Sequence, residues 1–228
     1  MIVVIQCAAS KRQDAGYLHN RTGEKIVFVA QPDKVAKRGR KVRYVRPDDI
    51  SDTGKSYRQV LADYNRPAAA KKNPFGLLPA WQLYKNPAYR LLAEYCGLDR
   101  LYILSAGWGL IAADFLTPLY DITFSKAGNV DVSKRRGKNE DWPDFAMLPV
   151  DCNEPVMFLG GRDYLPLFCK LTGKIGAPRL VWHNCDRGRE PDAPGCQLRR
   201  FASPTKTNWH YQCARNYVEG KISVKDAS

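Results

Sequence analysis

Four short stretches of this chain are apolar almost throughout: Ile2 to Gln6, Leu101 to Leu104, Pro155 to Leu159 and Arg179 to Trp182. A strand with one face in water alternates apolar and polar residues. A run that does not alternate has both faces covered, as in the interior of a parallel sheet. Helical segments lie between the runs. One covers 79–96, is broken near Asn86-Pro87 and is closed by Gly97. A second begins at Tyr164, and a third covers 209–219. A further helix is expected from Asp52 to Tyr64, ended by Asn65-Arg66-Pro67. A short strand fits Gln197 to Phe201. This alternation predicts an α/β fold with a mostly parallel central sheet of four or more strands, flanked by helices on both faces. No repeat divides the chain, so 1–228 reads as a single domain. Residues 25–30 and 41–46 read as two strands around a basic loop, a β-hairpin insertion over about 20–50.

Open parallel sheets bind ligands outside the carboxyl ends of their strands. The segments that follow the apolar runs are 7–12, 105–109 and 160–163, with 202–210 near the last strand. Each is small or polar in composition. One such turn means little, but the four together point to a site at that end of the sheet.

Charge suggests what the site meets. Among 228 residues, 36 Lys and Arg face 23 Asp and Glu, a net charge of +13. Seven basic residues fall between Lys34 and Arg46, and four more in Lys134-Arg135-Arg136-Gly137-Lys138. A polyanion is the natural partner of such a surface. No apolar run reaches the length of a membrane span. The apolar N-terminus has no basic lead and no small-residue cleavage site, so it reads as a buried strand and not as a signal peptide. The seven cysteines are scattered, with no C-x-x-C pair. They are expected to be reduced thiols in a cytoplasmic protein. His183, Cys185 and Cys196 match no zinc spacing, and no metal or other cofactor is expected. Asp52-Thr53-Gly54-Lys55-Ser56 is not a P-loop, because Asp49 stands where its first glycine belongs.

The segments C-A-A-S-K-R (7–12), A-W-Q-L-Y-K-N-P-A-Y-R (80–90), L-Y-I-L-S-A-G-W-G-L-I (101–111) and P-L-Y-D (118–121) together resemble the bacterial YaaA peroxide-stress family. Related modules occur beside archaeosine and deazaguanine modification enzymes. Through this group the chain resembles a distant branch of the uracil-DNA glycosylase superfamily. The resemblance covers most of 2–124 and about the last 35 residues, and is weakest over 20–75. It implies a glycosylase fold, DNA as partner and a base-excising activity. It is also compatible with anti-phage glycosylases that remove heavily modified cytosines, such as glucosylated hydroxymethylcytosine. Two departures stand out. The superfamily's G-Q-D-P-Y type loop is here Gln6-Cys7-Ala8-Ala9-Ser10-Lys11, without the aspartate. Its H-P-S-P type loop is here Phe201-Ala202-Ser203-Pro204-Thr205, with phenylalanine in place of histidine. Catalysis has either been rebuilt from other residues or been lost.

Cutting an N-glycosidic bond develops positive charge on the sugar and negative charge on the base. A carboxylate near the sugar and donors around the base answer those charges. Asp121 is the first candidate carboxylate, with Asp114 and Asp14 as alternatives; a turn aspartate or helix cap would look the same. Asp163 equally suits a helix cap. Asn208 and His210 are candidates for contact with the leaving base. Base and sugar contacts are expected from Gln6, Cys7, Ser10 and Lys11, from Ser105, Trp108 and Tyr120, and from Gly160 and Arg162. Trp108, set between two glycines, is expected to stack on a base extruded from the helix. Attack by Lys11 or Lys206 on the sugar would add strand cleavage through a Schiff base, although nothing in the sequence requires it. Phosphate contacts are expected from Lys37, Arg38, Arg40, Lys41, Arg135, Arg136 and Lys138, and from Ser203, Thr205 and Lys206. Two other functions compete with a glycosylase: a non-catalytic DNA-binding stress protein, and a nucleoside-modifying transferase.

Overall fold

The computed structural model describes residues 1–36, 39–125 and 130–223. The strands are β1 (Ile2–Gln6), β2 (Lys25–Val29), β3 (Val42–Val45), β4 (Leu78–Pro79), β5 (Leu101–Ser105), β6 (Gly109–Ala112), β7 (Leu116–Thr117), β8 (Tyr120–Asp121), β9 (Phe145–Ala146), β10 (Val156–Leu159), β11 (Arg179–His183) and β12 (Gln197–Arg200). The helices are α1 (Tyr57–Tyr64), α2 (Pro67–Ala70), α3 (Ala80–Leu83), α4 (Ala88–Cys96), α5 (Leu165–Thr172) and α6 (Trp209–Val218).

The central sheet has seven strands in the order β12-β11-β10-β1-β5-β6-β9. The five strands from β12 to β5 run parallel, and β6 returns antiparallel to β5. The apolar runs form its centre: Val3, Val4, Ile5, Leu101, Ile103, Leu104, Met157 and Phe158 are fully buried. Helices α4 and α6 pack on each other over β1, β5 and β10. The opposite face is covered by α5, where Phe168 stacks on Phe158. The predicted α/β architecture is the one observed. Chain order across the parallel strands is 2-1-3-4-5, a doubly wound arrangement whose switch point lies between β1 and β10. Connections leave those two neighbours in opposite directions, which opens a crevice beyond their carboxyl ends.

The predicted hairpin is corrected. Strands β2 and β3 are neighbours but parallel, and β2 also pairs in parallel with β8. The connection from Ala30 to Lys41 is a dozen residues long and contains the 3-10 turn Pro32–Lys34. That is long enough for a crossover. Phe28 of β2 then packs edge-on against Trp108 and Tyr57. The inserted segment is therefore part of the main core. The helix expected from Asp52 starts later, at Tyr57. Ser56 and Gln59 form a capping box there, and residues 51–55 fold into a turn closed by Ser51. No helix among the described residues is long and apolar enough to cross a membrane.

Candidate functional site

At the switch point Gln6 bridges the two strand ends. Its side-chain oxygen accepts the Gly161 backbone N–H at 2.6 Å, and its backbone carbonyl accepts from Tyr89 Oη at 2.7 Å. The next residue, Cys7, is buried, with Sγ 3.2 Å from Tyr164 Oη. Beyond them lies an open cleft of about 420 Å³. Its walls come from the β1 loop, from Thr123 and Ser125, from Gly161–Tyr164, from Asn184 after β11 and from the start of α6. A volume of this size falls in the range typical of ligand sites.

Among the predicted residues, Gln6, Cys7, Arg162, Lys206, Asn208 and His210 meet in this cleft. His210 is 2% exposed, and neither ring nitrogen has a hydrogen-bond partner. Its ring lies 4.0 Å from that of Tyr211. Burial alone pushes its pKa from 6.5 down to about 4, so the imidazole is neutral at pH 7 and offers one donor and one acceptor. Asn208 stands at the head of α6 in the left-handed region, φ 61°, with its side chain free of the helix. Where the resemblance would place a histidine, Phe201 instead packs in the core between Trp182 and Trp209. The cleft's imidazole comes from nine residues further on.

A buried, unpaired imidazole leaves a mark on stability. Between pH 6.5 and 4 the unfolded chain binds a proton that the folded chain does not. The contribution is whole above pH 6.5, is lost progressively as the pH falls to 4, and amounts to about 3 kcal/mol. Urea titrations from pH 7 to 4 should show this loss in the parent protein. His210→Leu should lack that component; equal pH dependence in the two proteins would show that His210 is not the buried neutral group.

A second hollow, of about 180 Å³, lies across Ala9 from the cleft and is lined by Lys11, Gln13, Tyr17, Tyr120 and Asp121 among others. Asp121 is half-exposed and pairs with Lys134 at 2.6 Å. Lys11 is buried, with Nζ 4.2 Å from the Tyr120 ring centre. Burial lowers its pKa, opposed in part by the neighbouring Cys7 and Asp121.

Several predicted residues do not reach either space. Asp114 lies in the turn after β6. Because β6 runs antiparallel to β5, that turn sits at the amino end of the sheet, opposite the cleft. Asp14 is on the surface, paired with Arg12. Trp108 is fully buried against Phe28 and so is not placed to stack on an extruded base. Arg136 donates to the carbonyl of Ala106, and Arg58 to those of Gly107 and Trp108. Two buried guanidiniums thus hold three successive carbonyls of the β5–β6 turn. At Gly109, φ 87°, a Cβ would lie 2.5 Å from the Phe145 carbonyl. Ser105 is also fully buried. It donates to Tyr120 Oη at 2.8 Å, accepts from the N–H groups of Gly107 and Trp108, and so holds Tyr120, which lines the smaller hollow. Tyr120 Oη in turn bonds Tyr84 Oη at 2.9 Å. Burial pushes both phenols well above the usual tyrosine range. Gly160 is packed beneath the Phe158 ring, and Gly161 is the glycine that faces the cleft.

The basic clusters also divide. Arg136 is buried and its guanidinium is taken up by Asp144 and by the Ala106 and Glu140 carbonyls, so it is not available to phosphate. Arg135 is half-buried, and its guanidinium is held by the Val130 carbonyl. Lys138 pairs with Asp163 at the cleft's edge. Arg40 and Lys41 are exposed near the amino end of β3, away from the Asp121 end of that small sheet. Lys37 and Arg38 lie outside the described residues. Ser203 and Thr205 bond each other at 3.0 Å, and the Thr205 carbonyl accepts from Asn184 at 3.1 Å, which shapes the loop leading to α6. Ser10 is exposed, and its carbonyl accepts from the Lys85 N–H. Sequence reasoning missed Thr123, Tyr164 and Asn184 as wall residues; Asn184 was accessible as the polar residue just past an apolar run. His183, Cys185 and Cys196 do not assemble, and no group of three or more metal-ligating side chains occurs among the described residues.

No protein-family model, curated protein or solved structure matches this chain.

Proposed function

We propose that this protein is a DNA glycosylase that draws an extruded, modified base into the cleft outside β1 and β10 and cuts its bond to the sugar, leaving an abasic site. One observation carries the reading: a cleft at the sheet's switch point has a buried, neutral and unpaired imidazole in its wall and Arg162 and Lys206 among its lining residues. An N–H of His210 and the NH2 of Gln6, whose oxygen is held by Gly161, supply donors for the charge that develops on the departing base. Tyr164 and Trp209 supply aromatic wall. Asp121, in the adjoining hollow, is the carboxylate for the sugar cation. The cleft is more than twice the volume of that hollow, which favours a base carrying an added group, such as a modified cytosine of phage DNA. Anti-phage defence in the cytoplasm is the corresponding role. Incubating the protein with DNAs that carry different modified bases, followed by mass spectrometry of what is released, tests the proposal. It fails if no DNA yields a free base.

A second reading, a non-catalytic DNA-binding protein, is favoured by a different observation. The acids at both spaces are already ion-paired, Asp121 with Lys134 and Asp163 with Lys138. Both readings share one expectation. Affinity for duplex DNA should fall steeply with salt, with a log–log slope near −0.9 per phosphate neutralised. Lys206→Ala and Arg162→Ala should each reduce that slope by about one. Fluorescence anisotropy at several ionic strengths reads it out, and an affinity independent of salt would exclude a phosphate-tracking surface.

A further inference from the structure

We infer that Lys11 is a nucleophilic amine that forms a Schiff base with the aldehyde of an abasic sugar, so that strand cleavage follows base loss. The inference rests on the glycosylase reading for the source of the aldehyde, and on Lys11's own surroundings for the chemistry.

The backbone around Lys11 is pinned. Lys11 bridges Tyr84, the Arg12 N–H donates to the Leu83 carbonyl at 2.8 Å, and the Lys85 N–H donates to the Ser10 carbonyl at 3.2 Å. The side chain lines the hollow it shares with Asp121 and is 5% exposed. Its amine has no hydrogen bond or ion pair among the described residues, and its close polar contact is the face of Tyr120. The other buried cations are treated differently: Arg58 and Arg136 each have a carboxylate and backbone carbonyls. The acid nearest in kind, Asp121, is taken by Lys134. A ring face does not replace the hydration that a buried ammonium gives up. The neutral amine, the form with a free lone pair, is therefore favoured, in line with its lowered pKa.

The chemistry needs no oxidant. The Lys11 lone pair adds to C1′ of the open-chain sugar, and the carbinolamine loses water to give an iminium. Loss of the C2′ proton, which Asp121 is placed to accept, expels the 3′-phosphate with its bonding electrons. Water then hydrolyses the imine, freeing Lys11 and an unsaturated aldehyde on the 5′ fragment.

The test is borohydride trapping of the full-length protein on a duplex with one preformed abasic site, so that no glycosylase step is needed. We expect a covalent adduct that peptide mass spectrometry maps to Lys11. It should be lost in Lys11→Met, which matches the side chain in length without its amine, and kept in Lys221→Ala, an exposed lysine that lines neither space. No adduct, or an adduct mapped to another lysine, overturns the inference. Mapping on the parent protein decides the matter even if Lys11→Met fails to fold. Base release from modified DNA is scored separately. Release without a Lys11 adduct leaves the glycosylase reading standing and removes this one; an adduct without release does the reverse.

Discussion

Arg136→Ala is expected to destabilise the protein by about 3–5 kcal/mol, a large part of the roughly 5–15 kcal/mol that holds a domain folded. The side chains of Arg136 and Asp144 are 1% and 0% exposed, and they meet fork-on at 2.8 and 2.6 Å. The guanidinium also donates to the carbonyls of Ala106 at 2.9 Å and Glu140 at 3.3 Å, and lies over the Trp142 ring. Truncation would leave a buried carboxylate without its counter-charge and free two carbonyls. Lysine would not rescue it, since a single ammonium cannot reproduce the two-pronged geometry. Arg136→Met combined with Asp144→Leu should be milder than either change alone, because it removes both charges together. Urea denaturation measures all three. An Arg136→Ala protein with the parental midpoint and weakened DNA binding would restore Arg136 to the phosphate surface.

The largest effect on activity is expected at Asp121. Asp121→Asn should lower base release by about two to four orders of magnitude while DNA binding persists. The amide keeps the shape and can still accept from Lys134. What it loses is the charge that stabilises a sugar cation. The exposed ion pair it weakens is worth at most about 1 kcal/mol, so the fold should stand. His210→Leu should also cut release, yet leave the protein as stable or more so at pH 7, because two buried nitrogens without partners disappear. Greater stability together with lost activity would separate a working group from a packing one. Full activity in Asp121→Asn would transfer the role to Asp163, the carboxylate that lines the cleft itself.

Much of this site was legible in the sequence because the chemistry of the strand ends is local. Runs apolar at every position announce strands with two buried faces. The polar or small residue just beyond each run is then at the carboxyl end, and Gln6, Gly161 and Arg162 are found there. His210 was legible as an imidazole beside aromatics at a helix start. Its complete lack of partners was not, since that depends on which residues surround it.

Trp108 and Arg136 show where sequence reading stopped. A tryptophan between glycines looks mobile, but this one is walled in by Phe28, brought from 80 residues away by a small parallel sheet. Arg135 and Arg136 are neighbours in one basic run. One side chain is partly exposed and the other is sealed beside Asp144 and Trp142, and a count of charges cannot tell them apart. The direction of β3 relative to β2 had the same character, because a dozen connecting residues suffice for a crossover as well as for a loop. By itself the sequence determined the alternation of strands and helices, the helix break around Asn86-Pro87, the helix stop at Gly97 and the net charge, because each follows from local composition, backbone restriction and counting. Only the tertiary structure decided strand order, which arginines are buried, and which acids and amines share a hollow. Those depend on partners distant in sequence, and burial without a partner is what sets the chemistry of Lys11 and His210.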